Sequence, residues 1–355
     1  MSGGLAQLVA IGAQDAHLVG QPEISFFRST YKRHTNFSQT VERQVIQGNV
    51  SNNGMSTVRF ERKGDLLNYV YLVVNNGNQT ENVSDWTQLI TKVELLIGGQ
   101  VIDEQDSTYS YYIAPTLSAA NYSKSRAAGI FNNDSANRFY PLRFFFCENW
   151  QSAIPLIALQ YHDVELRITW GPQASDSNRK WDVYAHYAYL DTMERDYFAS
   201  KSQNILITQV QRATASTTRI QELNFNHPVK YLASGVGTGI VNINGNDGTT
   251  DNKVKIQING VDVADYKFAN PNFSAVTLYY HTSHSDSTVA SSGRIFLYPF
   301  CLDTSKLQPT GTLNFSRLDS ARIMSDLNTF NQDIYAVNYN ILKVENGMGG
   351  LMYSN

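Results

Sequence analysis

The chain has 355 residues, of which 42% are hydrophobic and 17% charged, so it can bury a sizeable core and is not disordered by composition. Its formal net charge of −3 provides no basic field for nucleic acid, and no direct sequence-specific nucleic-acid contact is expected. The two cysteines, Cys147 and Cys301, are too few for a disulfide framework and indicate a reducing compartment.

The first 24 residues are predicted to form an N-terminal arm. Glycines interrupt any lasting helix there, and the few apolar groups cannot form a core of their own. These apolar groups are Leu5, Leu8, Val9 and Ile11. The arm lacks the basic start and long apolar core of a signal peptide, and the longest apolar run, YVYLVV at 69–74, is too short to span a membrane. We therefore expect an intracellular product, or one released by lysis, without a transmembrane segment.

Short strands without helical spacers are predicted along the first half. They lie near 26–40, 57–62, 66–75, 90–98, 101–106, 141–147, 157–170 and 181–190. VELLI at 93–97 leads into Gly98 and Gly99, which supply the positive φ of a tight hairpin turn. The connections alternate between long and short, and this predicts one elaborated end and one trimmed end. The long connections are 41–56, 76–89, 107–140 and 171–180.

A joint and a second set of strands follow. Asp191 and Glu194 have the spacing of a capping box, which predicts one short helix within 190–204. A linker is predicted over 201–218. Further strands are predicted near 219–226, 228–236, 253–259, 261–268, 294–301, 312–323 and 334–345.

The second half repeats landmarks of the first. KVELLIGGQVID at 92–103 matches KVKIQINGVDVA at 253–264, where Asn259 and Gly260 provide the hairpin turn. Cys147 and Cys301 both follow Phe and both precede a proline by eight residues. The 21 Tyr, 17 Phe and many Asn favour strands and turns. We therefore predict an all-β protein of two consecutive eight-stranded jelly rolls joined by a short helix, with the arm at 1–24, the first jelly roll at 25–200 and the second at 219–355.

Candidate catalytic motifs are weak. His281 and His284 form an HxxH pair without a further ligand, so polar loop histidines are the favoured interpretation. The Gly-rich stretch 235–248 lacks the Lys-Ser/Thr of a phosphate loop and leads to a strand. Cys147 and Cys301 are predicted to be buried and unreactive. No nucleophile-elbow pattern occurs, so we expect no enzyme activity, no cofactor and no metal.

Six segments together carry a resemblance to a known family. They are GGLAQLVAIGAQD (3–15), FFRSTYKRHTNFS (26–38), IPLIALQYHDVELRI (154–168), LNFNHPVK (223–230), GTLNFSRLDSARI (311–323) and YAVNYNILKVENGMGGLMYSN (335–355). In order and nearly end to end, they closely resemble the major capsid proteins of nucleocytoplasmic large DNA viruses, which include phycodnaviruses, iridoviruses and mimivirus-like viruses.

The resemblance implies a structural role and a set of partners. A double jelly roll of this family is expected to form a homotrimer, a pseudo-hexagonal capsomer that contacts neighbouring capsomers and tiles an icosahedral shell. The arm is expected on the inner face, against minor capsid proteins beneath the shell. The resemblance further implies location in the virion capsid and assembly in the host cytoplasm.

Eight Asn-x-Ser/Thr sequons occur, against about five expected by chance from 32 Asn. Six are candidate glycosylation sites because they fall in the long loops: Asn49, Asn78, Asn82, Asn121, Asn133 and Asn272. A protein assembled in the cytoplasm does not meet the usual oligosaccharide-transferring machinery.

Two alternative functions stay open on the sequence. The first is a minor or vertex capsid paralogue with the same fold. The second is a carbohydrate-binding jelly-roll protein, since lectins share the architecture and fold alone does not separate the two classes.

Overall fold

A computed structural model describes residues 3–118, 138–235, 241–283 and 294–354. Contacts divide the chain into two units, Met1–Asn36 and Phe37–Asn355. The first unit contains the helices Gly3–Val9 and Ala16–Val19 and the 3-10 turn Ala13–Asp15, and these elements bury no side chain. The strand predicted at 26–40 is wrong over 26–36, because the aromatic residues there find no partner strand and the first strand begins at Phe37.

Among the described residues of the second unit, ten strands form two antiparallel sheets between Phe37 and Leu190. They are β1 Phe37–Gln44, β2 Ile46–Gln47, β3 Met55–Arg59, β4 Leu66–Asn75, β5 Ile90–Ile97, β6 Gln100–Asp106, β7 Tyr140–Pro141, β8 Ile154–Pro155, β9 Val164–Trp170 and β10 Lys180–Leu190. Sheet 1 has the order β1-β10-β4-β7, with β8 also on β4, and sheet 2 has the order β2-β3-β9-β5-β6. If β2 with β3, and β7 with β8, each count as one broken strand, this is the order of an eight-stranded jelly roll.

Eleven more strands in the described ranges from Gln203 onward repeat this arrangement. They are β11 Gln203–Ala213, β12 Ile220–Glu222, β13 Pro228–Gly235, β14 Lys253–Ile258, β15 Val261–Asp262, β16 Lys267–Phe268, β17 Ile295–Pro299, β18 Leu313–Asn314, β19 Ala321–Ser325, β20 Ile334–Glu345 and β21 Met348–Leu351. Sheet 3 has the order β11-β20-β13-β17, with β18 on β13 and β21 on β20. Sheet 4 has the order β12-β19-β14-β15, with β16 on β14. The prediction of two consecutive jelly rolls is confirmed.

The joint between the jelly rolls is shorter than predicted. The helix Thr192–Ser200 begins at Asp191, whose carboxylate accepts a hydrogen bond from the Thr192 amide at 2.8 Å. The linker predicted over 201–218 is wrong over most of its length, because 203–213 form β11 and pair along β20 from Gln203 to Ala213. The second jelly roll therefore begins at Gln203, not at residue 219.

Further strand predictions need correction. The strand predicted at 157–170 begins only at Val164, and the strand predicted at 261–268 is divided into β15 and β16. The stretch predicted as a strand at 141–147 contains the helix Phe145–Glu148, so Cys147 lies in a helix rather than a strand. Phe145 and Phe146 are buried there, which shows that packing overrode the strand preference of consecutive aromatic residues. The long strand predicted at 312–323 is divided into β18 and β19, with the 3-10 turn Phe315–Arg317 between them.

Other helical turns lie mainly in the long connections. They are Trp86–Gln88, Tyr109–Ile113, Ala114–Leu117, Trp150–Ser152, Asn242–Asn244, Ala269–Pro271, Asn272–Val276 and Thr277–His281. Tyr109–Ile113 and Asn272–Val276 are both π-helical, and each continues directly into an α-helical turn.

Both repeated hairpins are tight two-residue turns. Gly98 and Gly99 have φ of 59° and 81°, and Asn259 and Gly260 have φ of 49° and 81°. They connect β5 to β6 and β14 to β15, the same strand pair in each jelly roll. Positive φ at both central positions is the geometry of the hairpin turn that follows the right-handed twist of the strands.

The long and short connections of the first jelly roll gather at separate ends. Among the long ones, Asn53 donates to the Gly171 carbonyl, Gly171 donates to Leu89, and Tyr112 donates to Asp85. The short ones are joined by backbone bonds of their own, from Gly98 to Asp163 and from Ile157 to Asp65.

Each jelly roll has an apolar core between its two sheets, and the first core also includes Ile207, Leu342 and Val344 from β11 and β20. Trp86, Trp170 and Leu72 are fully buried in the first core, and Phe296 and Ile323 in the second. A third buried cluster lies outside both cores, on the outer face of sheet 3.

Candidate functional site

The third cluster is one of the contacts between the two jelly rolls. Along sheet 3, alternate residues point to opposite faces, so that Leu232 and Ala336 enter the second core while Tyr231, Ala233 and Tyr335 face outward. The helical segment 109–117 of the first jelly roll packs on this outer face. The buried residues of the contact are Tyr109, Ile113, Ala114, Leu117, Tyr231, Ala233, Leu278, Ile295, Leu297, Cys301, Tyr335 and Val337.

A charged group closes one edge of this contact. The Asp106 carboxylate at the end of β6 accepts a hydrogen bond from the Tyr335 hydroxyl at 2.6 Å. Arg212 on β11 lies 3.3 Å from Asp106 and 3.5 Å from Asp333. Burial, with the nearby Asp106 carboxylate, raises the pKa of Tyr335, so its hydroxyl remains a donor at all ordinary pH values.

Asp103 connects β6 to β11 from a buried position. Its carboxylate accepts hydrogen bonds from the Val210 amide at 2.9 Å, the Glu104 amide at 3.0 Å and the Gln105 side chain at 2.8 Å. Burial raises the pKa of Asp103 to about 7, although these donors favour the ionised form. The contact therefore joins the jelly rolls through a titratable group.

The C-terminal hairpin makes a second contact between the jelly rolls. The turn at Asn346 and Gly347 connects β20 to β21, and the Tyr161 amide donates to the Gly347 carbonyl at 2.9 Å. His162 Nδ1 lies 2.9 Å from the Gly349 carbonyl. Tyr161 and His162 lie in a short connection of the first jelly roll, so its trimmed end holds the C-terminal hairpin of the second.

The outer face of sheet 1 corresponds to the buried outer face of sheet 3 but stays partly open. Tyr71 stacks on Tyr184 with ring centroids 5.3 Å apart, and Tyr69 stacks on His186 at 4.5 Å. The rings of Tyr69, Tyr71 and Tyr184 are half-buried. Tyr69 and Tyr71 border a mainly apolar groove of about 640 Å³, which Phe139 also lines.

Sequence reasoning missed these surfaces, although a signal was present. Asp182-Val-Tyr-Ala at the start of β10 and Asp333-Ile-Tyr-Ala, which leads into β20, are the same motif at the same place in the two sheets. Tyr184 pairs with Tyr71 on β4, and Tyr335 pairs with Ala233 on β13. The repeat marks the outer face of each jelly roll.

The arm residues predicted to face inward are exposed in the first unit. The exposed fractions of Leu5, Leu8, Val9 and Ile11 are 52%, 71%, 80% and 63%. Three of them lie in the helix Gly3–Val9, which ends after seven residues. The role of these side chains stays a prediction.

The predicted glycosylation sites differ in their exposure. Asn49, Asn78 and Asn82 are exposed in long connections of the first jelly roll. Asn272 is half-buried, and its side-chain amide donates to the Phe268 carbonyl at 2.8 Å. Asn121 and Asn133 lie outside the described residues.

The HxxH pair, the Gly-rich stretch and the two cysteines form no reactive centre in the described part of the chain. His281 Nδ1 lies 3.0 Å from the Cys301 carbonyl, and His284 lies outside the described residues, as do 236–240 of the Gly-rich stretch. Cys301 is buried as predicted, whereas Cys147 is half-buried. Loss of solvent contact raises the pKa of Cys147 to about 12 and raises that of Cys301, so both thiols stay protonated at neutral pH. Within the described ranges, no three His, Cys, Asp or Glu side chains come together to hold a metal. No helix in those ranges is long and apolar enough to cross a membrane.

The sequence of this chain matches known proteins over nearly its whole length. Two protein-family models match the chain. The family described as "Major capsid protein N-terminus" matches residues 25–205, and the family described as "Large eukaryotic DNA virus major capsid protein" matches residues 194–350. The chain is 36% identical to the major capsid protein of Pyramimonas orientalis virus and 33% identical to that of Paramecium bursaria Chlorella virus 1, across the full length of each pair.

A solved structure agrees with these sequence matches. A chain of the PBCV-1 virus capsid superposes with a TM-score of 0.75 and 28% identity, covering 93% of this chain and all of that one. Family, sequence and fold give the same assignment, and the chain therefore belongs to the major capsid protein family of large eukaryotic DNA viruses.

Proposed function

We propose that three copies of this structural capsid protein close into a ring of six jelly rolls, a pseudo-hexagonal capsomer that contacts neighbouring capsomers and tiles an icosahedral shell. In this ring, first and second jelly rolls alternate around a three-fold axis. Location in the virion capsid follows from membership of the family. Assembly in the host cytoplasm belongs to the proposal and is supported by the two free cysteines.

The observation that carries the proposal is the unequal contact between the two jelly rolls. The first presents its β6 edge and segment 109–117, and the second presents the outer face of sheet 3. A contact between two different surfaces is heterologous, and repeating such a contact by rotation closes a ring. Because the two jelly rolls share one strand order, the same kind of contact between subunits gives six similar units around the axis.

The difference between the two ends of the jelly rolls supports a proposal for the remaining partners. The trimmed end, which holds the C-terminal hairpin, is proposed to face the interior of the shell. The apolar arm residues Leu5, Leu8, Val9 and Ile11 are proposed to bind minor capsid proteins beneath it, since exposed apolar groups in a cluster mark interaction sites. Sequence-specific nucleic-acid binding is not part of this role.

Light scattering coupled to size-exclusion chromatography tests the trimer. The chain has a mass of 39.8 kDa, so the purified protein should elute as a stable species of three times that mass, about 119 kDa. A monomer, or a trimer that dissociates reversibly at micromolar concentration, would contradict an obligate capsomer. Counting copies per virion separates a principal shell protein, present in most capsomers, from a minor or vertex paralogue.

A further inference from the structure

The outer faces of sheets 1 and 3 are built from equivalent residues. Arg43 on β1 pairs with Tyr184, and Arg212 on β11 pairs with Tyr335. Arg43 also lies 2.5 Å from Asp182, as Arg212 lies 3.5 Å from Asp333. The two faces therefore carry the same arginine, aspartate and tyrosine at the same register, on a scaffold of the same strand order.

The contact within the chain shows what such a face binds. The rings of Tyr109 and Tyr335 lie with centroids 5.7 Å apart. Ile113 lies so close to Gly235 that a Cβ atom there would stand 3.0 Å from the Ile113 Cγ1 atom. Leu117, four residues further, is also fully buried in this contact. The face thus binds a helical segment that presents apolar groups four residues apart.

The second jelly roll carries a counterpart of that helical segment. Residues 272–281 form a π-helical turn followed by an α-helical turn, as residues 109–117 do, and both segments connect the fifth and sixth strands of their jelly rolls. Val276 and Tyr280 are also four residues apart, at the places that Ile113 and Leu117 occupy in the first segment. They are 41% and 71% exposed, respectively.

The open face of sheet 1 matches this segment. Val73 stands two residues beyond Tyr71 on β4, as Gly235 stands two residues beyond Ala233 on β13. Val73, Tyr71 and Phe139 line the apolar groove of about 640 Å³. The face and the segment are thus the two halves of a contact of which the chain already contains one completed example.

We propose that the helical segment 272–281 of one subunit docks on the outer face of sheet 1 of the next subunit, with Val276 over Val73 and Tyr280 on the groove beside Tyr71. The inference rests on the trimer proposed above and names its contact surfaces. Three contacts within chains and three between chains then alternate around the axis. Asn272 lies in the docking segment, so a glycan on Asn272 would be incompatible with the trimer.

Charge placed on the docking segment tests the proposal. We expect Val276→Asp with Tyr280→Asp to give a folded monomer at concentrations where the unaltered protein is a trimer, because two carboxylates would be buried without partners. The matched control is Val261→Asp, which places the same charge on a 70% exposed residue of the β14–β15 hairpin and should stay trimeric. A double variant that remains a trimer overturns the docking proposal.

A disulfide between subunits tests the same contact without disrupting it. Val73→Cys with Val276→Cys should yield, after oxidation, a covalent trimer on a non-reducing gel, whereas each single variant should migrate as a monomer. A double-cysteine protein that is trimeric by light scattering but forms no covalent link, or links only within one chain, overturns the inference and leaves the trimer standing. An unaltered protein that never forms trimers contradicts the proposed function instead.

Discussion

Gly98 and Gly99 share one hairpin turn but differ in their surroundings. Both have positive φ, where a side chain costs about 1–2 kcal/mol. A Cβ atom at Gly98 would stand 2.4 Å from His162 Nδ1, whereas nothing lies within 4 Å of a Cβ atom at Gly99. The first glycine is required by conformation and by packing, the second by conformation alone.

Alanine substitutions should separate these two requirements. We expect Gly99→Ala to reduce the free energy of unfolding by about 1–2 kcal/mol, and Gly98→Ala to reduce it by more, because His162 must move and its contact with Gly349 is disturbed. Thermal melting of both variants measures the difference. Gly260→Ala, in the equivalent open turn, is the control and should match Gly99→Ala. Equal effects at positions 98 and 99 would show that His162 does not constrain the turn.

Asp103 predicts a pH dependence of stability. Its folded-state pKa of about 7 lies above the ordinary 3.8, so between these values the folded chain holds a proton that the unfolded chain has released. The contribution of this group is therefore most favourable at low pH and declines as the pH rises to about 7. Melting temperatures from pH 5 to 8 should fall more for the unaltered protein than for Asp103→Asn, whose side-chain oxygen can still accept from Val210 and Glu104. Parallel curves for the two proteins would contradict this assignment.

At the scale of elements, the segment 109–117 couples the jelly rolls. Ile113 is fully buried against the second jelly roll, although it belongs to the first. Truncating a buried isoleucine to alanine typically costs 2–5 kcal/mol, through lost transfer energy and the cavity left behind.

Ile113→Ala should therefore lower the free energy of unfolding by about 2–5 kcal/mol and loosen the contact between the jelly rolls. Calorimetry would show this as a lower melting temperature. Ile220→Ala, at a 43% exposed position of β12, is the control and should change stability by about 0.5 kcal/mol or less. If both variants melt alike, the segment does not stabilise the fold.

A strand can be predicted from the sequence where its local residue pattern agrees with its packing in the fold. Strands β4 and β20 were predicted at their observed bounds, because their apolar runs are flanked by polar turns. Strand β11 was missed because its exposed Gln and Thr residues resemble a linker, while only pairing with β20 makes it a strand. The contact between the jelly rolls joins residues more than 100 positions apart, such as Asp103 and Val210, so no local pattern could reveal it. Only the repeated Asp-x-Tyr-Ala motif points to it.

At the scale of the whole molecule, folding and lattice assembly should be separable. The arm residues Leu5, Leu8 and Val9 are exposed, and they belong to the unit Met1–Asn36, whereas both jelly rolls belong to the unit Phe37–Asn355. Deleting residues 1–20 should therefore leave a soluble trimer of near-normal melting temperature, while capsid formation is lost. Electron microscopy of an assembly reaction measures the second effect. Complete particles built from the truncated protein would show that the arm has no role in the lattice.

The central claim is that the contact inside one chain is repeated between chains. Cryo-electron microscopy of the purified protein tests it most directly, because each jelly roll can be located in the map. We predict six jelly rolls around a three-fold axis, alternating first and second, with segment 272–281 of each subunit on the outer face of sheet 1 of its neighbour. A ring in which first jelly rolls contact each other, or in which that face of sheet 1 is left open, would contradict the account.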